Sequence, residues 1–95
     1  IDSSKITIVD VRPADQYSRG SFPGAVNIPL DEFDEKMEAV DKDKTVYVLC
    51  HTGDRSRDCV EKLREAGYEA VNIEGGYRAY LRLSLWRMML RSRKN

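Results

Sequence analysis

The sequence predicts an α/β domain with a mainly parallel central sheet flanked by helices. Two short β-branched runs, Ile6–Asp10 and Thr45–Leu49, have strand character. Segments with apolar residues at helical spacing alternate with the strand candidates, and that alternation builds parallel sheets. At 95 residues the chain suffices for one domain with a small core.

Each element has its own local signal. Ile6–Asp10 is the first strand; it lies close to the first residue, so the N-terminal part of the sheet is expected to be reduced or missing. Pro13 suits an opening helical turn and predicts a short helix over residues 14–19. Ser21-Phe22-Pro23-Gly24 reads as a turn, and residues 25–28 as a short strand. Phe33, Met37 and Val40 fall at i, i+4 and i+7, which predicts a helix over residues 31–40. Thr45–Leu49 is nearly continuous in apolar character, as expected of a strand covered on both faces. Cys59, Val60, Leu63 and Ala66 make the apolar face of a helix over residues 56–66, with Gly67 as its stop. Residues 70–73 form another short strand. Residues 77–90 are expected to be helical with two apolar stripes, Tyr77/Leu81/Leu85/Met88 and Ala79/Leu83/Trp86/Leu90. A helix lying on its own domain needs one stripe. Two stripes point to a helix sandwiched between its own sheet and something else, or to one that breaks near Ser84.

Composition excludes several classes. Hydrophobic residues make up 41% of the chain, too many for disorder. No apolar run approaches the roughly 20 residues that span a bilayer, and residues 1–5 do not read as a charged-then-apolar leader, so a secretory signal is not expected in this sequence. Two cysteines, Cys50 and Cys59, are too few for a disulfide framework and lack companions for a zinc site. A reducing, cytoplasmic compartment fits them, with no metal or cofactor implied. The zero net charge hides an asymmetry. Residues 1–77 carry ten basic and sixteen acidic side chains, and residues 78–95 carry six basic and no acidic ones. No aromatic platform accompanies that basic tail, so neither a nucleic acid nor a membrane partner is expected.

The segment carrying chemistry is Cys50-His51-Thr52-Gly53-Asp54-Arg55-Ser56. It follows the strongest strand and precedes a clear helix, so Cys50 sits where open α/β sheets place their sites. Gly53 permits a tight wrap, and a loop closing onto a helix N-terminus turns several N–H groups toward one spot. A cysteine there is acidified toward the thiolate, and Arg55 adds a fixed positive charge. The combination describes a nucleophilic thiolate facing an anion pocket. A buried strand-end cysteine beside a glycine turn is the plainer alternative, and Gly53, Arg55 and the strand–loop–helix setting together argue against it.

That loop resembles the CxxGxR active loop of the rhodanese family. Asp10-Val11-Arg12 is similar to the family's D-V-R after its first core strand. Residues 22–30, FPGAVNIPL, are similar to its [IF]-P-G-A-x-N-I-P segment, and Gly75-Gly76-Tyr77 to its Gly-Gly turn before the last helix. The resemblance spans roughly residues 6–80, leaving residues 81–95 as a basic C-terminal helix or tail of a single domain over 1–95. It implies a three-layer rhodanese fold and a sulfurtransferase. Cys50 would carry sulfane sulfur as a persulfide, taken from thiosulfate, polysulfide or a persulfide and passed to a thiol. Arg55 and the loop of His51, Thr52, Gly53, Asp54 and Ser56 would stabilise the charged sulfur. Phosphatases of a related branch have five residues between Cys and Arg; here there are four, which suits sulfur better than phosphate.

Several residues keep two readings. His51 steers a donor or tunes Cys50, or is simply exposed. Asp54 takes part in the loop or points to solvent. Asp10 braces the active loop or caps the helix after Pro13, and Arg12 is structural. Cys59 resolves a persulfide or, as its apolar neighbours favour, belongs to the core. Tyr77 lines the mouth of the site or the core. The Gly-Gly-Tyr-Arg-Ala-Tyr run resembles rhodanese domains fused behind flavin-dependent pyridine-nucleotide disulfide oxidoreductases. This adds a neighbouring oxidoreductase domain, or a homodimer, to the expected partners. A non-catalytic adaptor docking through the C-terminal helix is the rival reading.

Overall fold

β-Branched residues fill two adjacent central strands, and everything else is arranged around them. The computed structural model describes residues 4–92. Strands β1 (Ile6–Asp10), β2 (Val26–Asn27), β3 (Thr45–Leu49) and β4 (Ala70–Asn72) form one wholly parallel sheet in the order β2-β1-β3-β4. β1 and β3 pair along their full lengths, from Ile6 opposite Thr45 to Asp10 opposite Leu49. The two short strand candidates pair over two and three residues.

Side chains alternate across the sheet, and the two faces differ. Val9, Val46, Val48 and Ala70 join Phe33, Val40, Cys59, Val60, Leu63 and Tyr68 in the main buried cluster. The opposite face holds buried Asp10 and Leu49, with Ile8 and Tyr47 half-buried and Val71 exposed. So β3 is fully covered on one face and half covered on the other, less than its apolar run suggested.

Helix α1 (Ala14–Ser18) follows Pro13, as the proline predicts. The expected helix over 31–40 is not continuous. A 3-10 turn at Leu30–Glu32, one helical turn α2 (Phe33–Lys36) and a second 3-10 turn at Met37–Ala39 replace it. Asp31, Glu32, Asp34, Glu35 and Glu38 crowd this stretch, and like charges at helical spacing repel. Phe33, Met37 and Val40 nevertheless pack inward as their spacing predicts. Helix α3 (Ser56–Glu65) buries Ser56, Cys59, Val60 and Leu63 against β3 and β4, while Ala66 caps its end and is exposed.

Helix α4 (Gly76–Ser92) runs unbroken through Ser84. Its first turns are anchored: Tyr77 stacks on Tyr80 at 5.6 Å, and Tyr80 meets Phe22 edge-on at 4.4 Å. Beyond Tyr80 the large apolar residues of both stripes are exposed. Leu85, Trp86 and Met88 are 60%, 58% and 62% exposed, so the helix is not sandwiched against its own sheet. No helix among the described residues is long and apolar enough to cross a membrane.

Candidate active site

The strand order creates the site. The chain leaves β1 toward one edge of the sheet and β3 toward the other, so a crevice opens between their carboxyl ends. An open pocket of about 560 Å³ lies there. From the β1 side Arg12, Pro13, Gln16 and Arg19 line it; from the β3 side come Cys50, His51, Thr52, Asp54 and Arg55.

Cys50 follows β3 on the face that carries Val46 and Val48, and its thiol is free. The Gly53 N–H donates to Cys50 Sγ at 3.0 Å, and the Ser56 hydroxyl lies 3.3 Å from the same sulfur. Burial pushes the Cys50 thiol up. Donation from the Ser56 hydroxyl and from the N–H groups of Ser56, Gly53 and Thr52 outweighs it, and the thiol is held below its ordinary range. Cys59 is the contrast. Buried among apolar residues without such donors, it is pushed up to about 11, so it sits in the core as its neighbours suggest.

The loop's shape depends on glycine packed on glycine. Gly53 has φ +93°, and a Cβ there would lie 2.9 Å from the Gly75 amide nitrogen. Gly76, at φ +58°, faces the Cys50 and His51 carbonyls too closely for any side chain. This proximity lets α4 stitch the loop in place: the Tyr77 N–H donates to the Cys50 carbonyl at 2.9 Å and the Arg78 N–H to the His51 carbonyl at 3.0 Å.

The remaining candidates fall into three groups. Arg55 is exposed at the pocket wall, with no hydrogen bond or ion pair from its side chain among the described residues. His51, Thr52 and Asp54 are exposed, and the Thr52 hydroxyl donates to Asp54 Oδ2 at 3.2 Å. Asp10 takes neither of its expected roles. Its buried carboxylate accepts from the Arg12 N–H and guanidinium and from the Ser21 hydroxyl, and no side chain caps α1. A buried carboxylate needs such a partner, and Arg12 is nearest in sequence on the same face. The Arg12 guanidinium also donates to the Gly20 carbonyl and lies 4.1 Å over the Tyr77 ring, so Tyr77 belongs to this support and not to the pocket wall.

Asn72 is the residue that the sequence reading missed. Its amide nitrogen donates to the Gly53 carbonyl at 2.9 Å and to Glu74 Oε1 at 3.0 Å, and its Oδ1 accepts from the Ser56 hydroxyl. Asn72 pairs with Val48 and shares the buried face with Ala70. A polar residue in that phase of a strand requires partners, and this was the available signal.

Comparison with known proteins shows a family and a fold. Residues 1–83 match the family model described as a rhodanese-like domain. The chain is 38% identical to YtwF of Bacillus subtilis over 76 residues, covering 80% of this chain and 74% of that protein. It is 41% identical to the thiosulfate sulfurtransferase PspE of Escherichia coli over 70 residues, covering 72% and 67%. Among solved structures, a rhodanese-related protein from Thermoplasma volcanium superimposes with a TM-score of 0.79 at 34% identity, covering 83% of this chain and 79% of that one. Reduced CoADR-RHD of Bacillus anthracis matches with a TM-score of 0.73 at 37% identity; 77% of this chain is covered, but only 13% of that longer protein.

Proposed function

The chain belongs to the rhodanese-like domain family, and from that premise we propose that it transfers sulfane sulfur through a persulfide on Cys50. The Cys50 thiolate attacks the outer sulfur of a donor such as thiosulfate. The new S–S bond forms as the donor's own bond to that sulfur breaks, and the donor remnant leaves with the electron pair. A thiolate acceptor then attacks the outer sulfur, and Cys50 departs as thiolate. No redox partner, metal or cofactor is needed for this exchange, which is nucleophilic catalysis with electrostatic support.

The observation that carries this reading is the donor set on Cys50 Sγ in the lining of a pocket shared with Arg19 and Arg55. Intact mass after incubation with thiosulfate or polysulfide tests it. One added sulfur on the protein, absent from Cys50→Ser and discharged by cyanide, is the expected result. An unchanged mass with both donors overturns it.

A docking role is favoured by one separate observation, the exposed apolar length of α4. It would be compatible with a neighbouring oxidoreductase domain or a second copy of the chain. Association that persists in Cys50→Ser would assign the two roles to different parts of the molecule.

A further inference from the structure

The Ser56 hydroxyl has one proton and two acceptors. It lies 3.3 Å from Cys50 Sγ and in closer contact with Asn72 Oδ1. The orientation of Asn72 is not free. Its amide nitrogen meets two oxygens, the Gly53 carbonyl at 2.9 Å and Glu74 Oε1 at 3.0 Å. Flipping the amide would set its oxygen against both, which have no proton to offer. Asn72 therefore presents Oδ1 to Ser56 permanently. Ser56 is fully buried, so its proton must always be placed on one acceptor or the other.

We propose that the Ser56 hydroxyl is a two-position donor, turned to Cys50 Sγ when that sulfur is a thiolate and to Asn72 Oδ1 when it is not. Asn72 is then a positioning residue that acts through Ser56. The inference rests on the reading of Cys50 as the sulfur carrier. In the thiolate, Sγ carries the full charge and draws the hydroxyl as a charge-assisted donor. Once the persulfide forms, the charge lies on the outer sulfur and Sγ is a poor acceptor. Without Asn72 the hydroxyl would then be buried and unpaired. When the acceptor attacks, Sγ leaves as thiolate and the hydroxyl turns back. Only a torsion changes; no proton is transferred between residues.

The test is the pH dependence of Cys50 alkylation by iodoacetamide in wild type, Ser56→Ala, Asn72→Ala and the double variant. Alkylation requires no sulfur transfer, so its outcome is separable from failure of the carrier reading, which the thiosulfate mass experiment decides. Ser56→Ala is expected to lower the alkylation rate at pH 7 about tenfold by moving the titration upward. Asn72→Ala is expected to move it downward when Ser56 is present, relative to its effect when Ser56 is absent, because a competitor for the proton has gone. Loosening of the Gly53 loop acts in both backgrounds and cancels. So do the surrounding groups His51, Asp54, Arg55, Arg57, Arg12 and Arg19, and so does the change at Glu74, which loses the Asn72 amide in both backgrounds. An unmoved titration in Ser56→Ala, or equal effects of Asn72→Ala in both backgrounds, overturns the proposal. Should Asn72→Ala fail to fold, the Ser56→Ala titration alone still decides whether the hydroxyl serves the thiolate.

Discussion

At the scale of single residues, the two cysteines show how far surroundings separate identical side chains. Cys50 is held below its usual range by four donors, while Cys59 is raised to about 11 by burial. Brief iodoacetamide treatment of the native protein at pH 7 is therefore expected to modify Cys50 and spare Cys59, read by peptide mass. The two also act oppositely on stability. A lowered folded pKa stabilises above the unfolded pKa, and Cys50's share is lost as pH falls through its folded value. A raised one stabilises below the unfolded pKa. Cys59's share is accordingly lost as pH rises from an ordinary 9.0 through about 11, which an alkaline unfolding series with Cys59→Ala as control checks. Arg55 lines the pocket with no ion pair or hydrogen bond from its guanidinium among the described residues. Arg55→Ala is expected to cut thiosulfate turnover by roughly 10²-fold, the usual effect of losing one electrostatic donor, while thermal stability stays unchanged. Arg12→Ala acts on folding as well: it removes the guanidinium partner of buried Asp10, at a cost of about 3–5 kcal/mol in denaturant unfolding.

At the scale of elements, what was legible is what local pattern determines. β1, β3 and α3 follow from β-branching and from apolar spacing, and the Cys50–Ser56 loop follows from the junction of β3 with α3. The stretch 31–40 departs from the expected helix because apolar spacing records which residues face inward, not whether the backbone between them stays helical. Five acids in that stretch decide the second question. Asn72 was read only as part of a short strand, because its importance lies in partners distant in the chain: Gly53 and Ser56. The glycine pair makes a prediction here. Gly76→Ala forces a side chain against the Cys50 and His51 carbonyls at a positive φ. Strain of that kind costs about 1–3 kcal/mol, and both melting temperature and Cys50 alkylation rate should fall. Gly24→Ala is the control, since open space surrounds Gly24; it should lower stability through its φ of +82° alone and leave the alkylation rate unaltered.

At the scale of the whole molecule, the domain is uneven. Its longest dimension is 50 Å against 27 and 20 Å across, consistent with a 17-residue helix whose distal part stands clear of the core. Apolar residues on that part contribute little to folding. Leu83→Gln with Leu85→Gln is expected to change unfolding free energy by less than about 0.5 kcal/mol, as surface substitutions do. The same change should reduce concentration-dependent association in sedimentation, since an exposed apolar patch promotes it.

The β1–β3 ladder carries a last consequence. Strand neighbours point to opposite faces, so slipping β3 by one residue would bring Leu49 to the place of Cys50 and turn the sulfur toward the wrong side of the sheet. Chemistry in this chain thus has no partial credit. A misregistered sheet would hold the Cys50 thiol away from the Gly53 and Ser56 donors. Alkylation of Cys50 is in effect a checksum on the fold, and its onset during refolding is expected to mark the moment at which the central strands have found their true alignment.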